Sequence, residues 1–123
     1  MSNKDIVIRF TNEVFNKKDL TLVDLFIHED YRQHNPTVAQ GREGFKEFAT
    51  GFFARFPDLH LYIKHIYEDG DVVISHNHAV LKPGEVENIV FDVYRLRDGK
   101  LAEHWDCIQR LTPEQIARAD ELF

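Results

Sequence analysis

Cysteine is almost absent: Cys107 stands alone, so the chain can form no disulfide within itself. That suits a reducing compartment. No stretch approaches the roughly 20 consecutive apolar residues that a membrane-spanning helix needs. The opening Met1-Ser2-Asn3-Lys4-Asp5 leads into an amphipathic stretch, not into an apolar block with a cleavage site. These features point to a cytoplasmic protein without membrane attachment. Basic charge is also in short supply: 15 Lys and Arg against 21 Asp and Glu leave a net charge of −6, and the basic residues are spread along the chain without a cluster. A nucleic-acid partner requires a clustered basic face, so this balance argues against one. Phosphate loops, dinucleotide fingerprints and nucleophile triads are missing, as are repeats, low-complexity tracts and linkers. What remains, at 123 residues with 43% hydrophobic and 29% charged, is one domain spanning residues 1–123.

Two residue types are in excess. Phenylalanine occurs ten times and histidine seven, which suggests a wide aromatic interior and a site able to titrate near neutrality. Ser2 followed by Asp5 predicts a helix start, and Ile6, Phe10 and Val14, with Val7 and Phe15, predict its apolar stripe. Asp19 predicts a cap for a short helix from Leu20 to Phe26. A third helix is predicted from Gly41 to Phe56, before Pro57, with Phe45, Phe48, Phe52 and Phe56 on one aromatic face. From Asp58 the period changes to two. Leu59, Leu61, Ile63, His65 and Tyr67 predict one face of a strand ending at Asp69-Gly70, and further strands are predicted over Val72–Lys82, Val86–Arg97 and Leu101–Leu111. Thr112, Pro113 and Gln115 predict a closing helix. The expected fold class is α+β: a cone-shaped, curved antiparallel β-sheet wrapped around N-terminal helices, enclosing a pocket.

His34-Asn35-Pro36 after Tyr31, Gly41-Arg42-Glu43-Gly44, and Asp98-Gly99-Lys100-Leu101 running into Glu103-His104-Trp105-Asp106 together resemble the SnoaL-like polyketide cyclase family. That family lies in the nuclear transport factor 2-like superfamily, which also contains ketosteroid isomerase. The resemblance covers nearly the whole chain. It implies a cystatin-like roll, no cofactor and no metal, and an aspartate near the pocket on a late strand as acid/base in an aldol-type closure. The fold hosts cyclases, isomerases, dehydratases and plain binding modules, so it does not by itself specify a reaction.

Strand parity sorts the candidate residues. His104 and Asp106 share one face of the last strand, and Asp92 lies between Val90 and Tyr94 on the strand before it. Polar groups on faces otherwise fit for a core must find partners or line a wet cavity. Asp106 is the candidate general acid or base, the match to the family's aspartate. His78 and His34 are its candidate catalytic partners. His76, Asp92, His104, Phe48, Phe52 and Tyr94 are candidate substrate contacts. His76 and His78 sit on what reads as an apolar inward face with Val72, Ile74 and Val80. They would donate to an enolate oxygen, bind a metal with His104, or bond Asp92 and Asp106. Trp105 and Phe91 fall on the opposite parity, and apolar residues on both sheet faces predict a homodimer. The leading expectation is a cofactor-independent enzyme acting on a small, largely apolar carbonyl compound. Its rival is a ligand-binding module that uses the same pocket without chemistry.

Overall fold

A computed structural model describes residues 1–123. Ser2 caps α1 (Asn3–Phe10) by accepting the Asp5 N–H while the Asp5 carboxylate accepts its own N–H. Beyond Phe10 the helix widens into a π-helical segment, Thr11–Asn16. The predicted stripe holds through this change of geometry, with Ile6, Phe10 and Val14 all buried. The wider turn brings Phe10 and Phe15 edge to face, with 5.5 Å between ring centres. Asp19 caps a 3₁₀ turn, Leu20–Leu22, that continues into α2 (Val23–Phe26). The third helix, α3, runs Gly41–Arg55 and ends as Pro57 requires.

Five strands form one sheet in the order β1-β5-β4-β3-β2. They are β1 (Ile27–Gln33), β2 (His60–Asp69), β3 (Val72–Lys82), β4 (Val86–Arg97) and β5 (Lys100–Arg110). The last four form the predicted antiparallel meander. β1 is an addition to the predicted fold: it lies parallel to β5 at the sheet edge. Its sequence, Ile-His-Glu-Asp-Tyr-Arg-Gln, buries only Ile27, Tyr31 and Gln33, so its period-two signal is weak. Charged side chains are a common guard for an edge strand. At the other edge, the Asn16 amide donates to the Leu61 carbonyl at 3.0 Å and accepts the Leu61 N–H at 2.8 Å, closing part of β2 to any added strand. A short helix, α4 (Pro113–Ala117), follows its predicted Thr112 cap.

Two departures from the predicted parity matter for function. The β2–β3 register shifts between Ile63 and His65, so Leu61 and Ile63 point inward while His65 and Tyr67 lie on the outer face. On β3 the buried row is Val73, Ser75, Asn77, Ala79 and Leu81, and His76 and His78 belong to the other face. Each row carries two polar residues, Ser75 and Asn77 inward and His76 and His78 outward, so composition does not tell the faces apart.

The core is continuous from α1 to the sheet, with Val7, Val14, Val23, Ile27, Leu59 and Leu101 wholly or almost wholly buried. The segment between β1 and α3 is folded back tightly. Gln40 accepts the Gln33 N–H at 2.8 Å and donates to the Gln33 carbonyl at 2.7 Å, while Gly41 takes a φ of +81° at the helix entry. Gly44 completes this motif, since a Cβ there would lie 2.2 Å from the Ala39 carbonyl oxygen. Alanine is the better helix former by ~1 kcal/mol. Even so, Gly44→Ala is expected to destabilise the fold by about 2–3 kcal/mol through overpacking against backbone. Gly51, with open space around its Cβ position, is the control: Gly51→Ala should stabilise by about 0.5–1 kcal/mol in the same urea titration.

Candidate active site

The concave face of the sheet and the aromatic face of α3 enclose a cavity of about 270 Å³. Phe45, Phe48 and Phe52 form one wall, and Phe10 and Phe15 close the narrow end. Most of the lining is apolar. Most of its polar groups gather around β5, between β1 and β4: Gln33, Asn35, Asp92, His104 and Asp106, with Asn88 apart from them.

These groups form a hydrogen-bonded network in which proton positions can be assigned. Gln33 Oε1 accepts the backbone N–H of Asn35 at 3.1 Å, which orients the Gln33 amide. His104 Nδ1, 2.7 Å from the same oxygen, therefore carries a proton. Its Nε2 faces Asp92 Oδ1 at 2.8 Å, so the imidazole and the carboxylate hold one further proton between them. The other Asp92 oxygen accepts from Asn77 Nδ2 at 2.9 Å, and Asn77 Oδ1 accepts from Ser75 Oγ at 2.7 Å. Asp92 is thus engaged at both oxygens by deeply buried partners.

Asp106 is held differently. Both of its oxygens share the single Asn35 Nδ2, at 3.0 and 3.1 Å. The Asn35 amide is oriented by the Thr37 N–H and hydroxyl, which donate to its Oδ1. His104 Nε2 is 4.0 Å away from Asp106, too far for a hydrogen bond. Asp106 therefore has one donor nitrogen where Asp92 has two donors.

Two phenols complete the polar end. Burial holds the hydroxyls of Tyr31 and Tyr94 well above the usual tyrosine range, reinforced by the charges of Asp92 and Asp106 and, for Tyr94, by Tyr31. Both line the cavity, neither makes a hydrogen bond within the protein, and neither hydroxyl is sealed off. They are neutral O–H donors across the physiological range. A raised phenol pKa favours the fold below the unfolded value of about 10, and that contribution is lost as pH rises above it. Stability measured by urea titration is expected to fall above pH 10, and to fall less steeply in the Tyr31→Phe/Tyr94→Phe double variant.

Of the residues singled out from sequence, Asp106, Asp92, His104, Tyr94, Phe48 and Phe52 line the cavity. His34, His76 and His78 do not. His34 follows the inward Gln33 and so points outward, where it stacks on Trp105 at 4.6 Å and bonds Glu103 at 2.6 Å. That bond, with Arg95 and Arg32 nearby, holds the Glu103 carboxyl below its usual range. His76 stacks on Phe91 and His65 on the outer face, and burial and His65 lower its pKa. His78 bonds Glu87 at 2.7 Å. Hence none of the three can reach a ligand in this cavity, and a metal site joining His76 and His78 to His104 is ruled out by the sheet lying between them. Asp92, His104 and Asp106 do bring one donor atom each within 4.8 Å of one another. An ion there would have to displace the proton shared by His104 and Asp92.

Sequence reading passed over Gln33, Asn35, Tyr31 and Asn77 as site residues. Asn35 and Tyr31 stood within the motif already noted, but the strand that aims them was not foreseen.

A curved five-stranded sheet closed by helices, with an aspartate–histidine network at one end of an aromatic cavity, defines the cone-shaped fold of the nuclear transport factor 2-like proteins. The sequence model of the SnoaL-like polyketide cyclases matches residues 5–116, and the chain belongs to that family. Among solved structures it is similar to a candidate polyketide cyclase from Acidithiobacillus ferrooxidans, at 24% identity and a TM-score of 0.78 over 97% of this chain and 99% of that one. It is similar also to IdmH, a candidate polyketide cyclase from Streptomyces antibioticus, at 23% identity and a TM-score of 0.76 over 89% and 93% of the two chains. A SnoaL-like polyketide cyclase from Agrobacterium tumefaciens is 14% identical, with a TM-score of 0.74 over 100% and 99%. At these identities the likeness establishes the fold. No curated protein matches the sequence.

Proposed function

We propose that this protein is a cofactor-independent enzyme that removes a proton from the carbon next to a carbonyl of a small, largely apolar compound. Asp106 is the general acid/base. The observation that carries this reading is the unequal engagement of the two cavity carboxylates: each Asp92 oxygen has its own buried donor, whereas the two Asp106 oxygens share one amide nitrogen at the cavity wall. Tyr31 and Tyr94 replace the histidines as donors to the developing enolate oxygen, since a neutral phenol held away from ionisation can give a hydrogen bond without being consumed. The Asp92–His104 pair places a compensated charge beside Asp106 and fixes the strand geometry. Aldol-type closure, isomerisation and dehydration all begin with this step, and family membership favours a cyclase or isomerase. The rival reading, a pure binding module, predicts that loss of Asp106 costs stability and not turnover.

The step can be measured before the natural substrate is known. A ten-carbon methyl ketone in deuterated buffer should exchange the hydrogens beside its carbonyl faster with the protein than without it. Exchange no faster than in buffer alone would refute the reading.

We also propose that two copies pair through the outer face of the sheet, where Tyr62, Tyr67, Ile74 and Phe91 are exposed. Light scattering should give twice the chain mass of 14.5 kDa at micromolar concentration. A clean monomer mass would reject the pairing.

A further inference from the structure

Asn88 is an anomaly that proton transfer at Asp106 does not use. It lies on the inward face of β4, lines the cavity, and is only 9% exposed. Its side-chain amide makes no hydrogen bond within the protein, and its Oδ1 is sealed from solvent without a partner. Its neighbours across the sheet are Ala79 on β3 and Arg110 on β5. Leu81 and Val90, both buried, share the cavity wall with it. A buried amide left without partners is destabilising relative to an apolar residue of the same shape. Every other amide of the cavity is committed: Gln33 to His104 and the Asn35 backbone, and Asn35 to Asp106 and Thr37.

Its position gives the amide a meaning. Asn88 and Asp92 are four residues apart on one strand face, about 13 Å at the usual strand rise. Val90 lies between them, paired with Ile108. Ile108 lines the cavity yet is 56% exposed, so this stretch of the wall reaches solvent. The polar cluster of Asp106 and the lone amide of Asn88 therefore bracket an apolar stretch of the cavity wall. The terminal torsion of asparagine is broad and roughly two-fold, so the amide can turn either its N–H₂ or its oxygen to a ligand.

We infer that Asn88 is a second anchor for the ligand, and that the cavity selects an elongated apolar compound with an oxygen function at each end. This rests on the proposed function only for which end reacts: the carbonyl at Asp106 and a hydroxyl or second carbonyl at Asn88. The cavity, about 270 Å³ and lined mostly by apolar side chains, suits such a ligand.

The test compares two probes by isothermal titration: a ten-carbon methyl ketone, and the ten-carbon diketone with a second ketone near its far end. The wild type should bind the diketone about three- to tenfold more tightly, the scale of one added hydrogen bond. In Asn88→Leu that ratio should fall to one, with the melting temperature equal to the wild type or higher. In Asp106→Asn the ratio should persist, so this inference and the catalytic role of Asp106 can fail independently. The Asn88 side-chain amide resonances of the wild type should shift with the diketone and not with the monoketone, a readout that needs no variant. A wild-type ratio of one, binding of neither ketone, or a ratio that survives Asn88→Leu overturns the inference.

Discussion

Asp106→Asn is expected to lower α-hydrogen exchange by about two orders of magnitude or more, the usual scale of general acid–base help, while the melting temperature stays near that of the wild type. The geometry is the reason for both halves. An asparagine fits the same space, and its oxygen still accepts from Asn35 Nδ2, which now approaches at 3.0 and 3.1 Å. What it lacks is an acceptor basic enough to take a proton from carbon. No deeply buried partner is orphaned, because His104 Nε2 is bonded to Asp92 and stands 4.0 Å from Asp106. A structural aspartate would show the reverse pattern, a loss of about 1–3 kcal/mol of stability with exchange untouched. Running exchange and melting on the same preparation separates the two.

Asp92→Ala should do the opposite: it should damage the fold first. Its carboxylate accepts from His104 and Asn77, and both partners are buried, so its loss strands an imidazole proton and an amide hydrogen together. Breaking one side of a buried pair typically costs about 3–5 kcal/mol. A loss of that size in a urea titration is the expected result. The Asp92→Ala/His104→Ala double variant should cost less than the sum of the two single changes, because the second substitution removes the group that the first left unpaired. Additive losses would show that the two side chains act separately, against the network described here.

The meander was legible in the sequence because hairpin glycines at Asp69-Gly70 and Asp98-Gly99 punctuate four strongly periodic runs, and the observed strand limits follow them closely. The aromatic face of α3 was legible for the same reason. Parity was less secure. One register shift near Lys64 moves His65 and Tyr67 to the other face, and periodicity within a single strand does not reveal it. β3 misled for a different reason. Its inward row, Ser75 and Asn77 among it, is polar because it serves Asp92, while its outer row carries Val72 and Ile74. Apolarity was therefore a poor guide to the inside. β1 was missed because four of its seven residues are charged or histidine, and with it went the means to see that Tyr31, Gln33 and Asn35 face the cavity and His34 does not.

Alternation along β5 places the chain's only thiol one residue from Asp106 and on the opposite side of the sheet. Cys107 is exposed on the outer face, with Phe91 as its cross-strand neighbour. A fluorophore attached there would therefore sense what touches the outside of the cone while a sheet's thickness separates it from the cavity. Because its neighbour Phe91 belongs to the proposed pairing face, such a label would report pairing or block it, and would stay silent to a ligand.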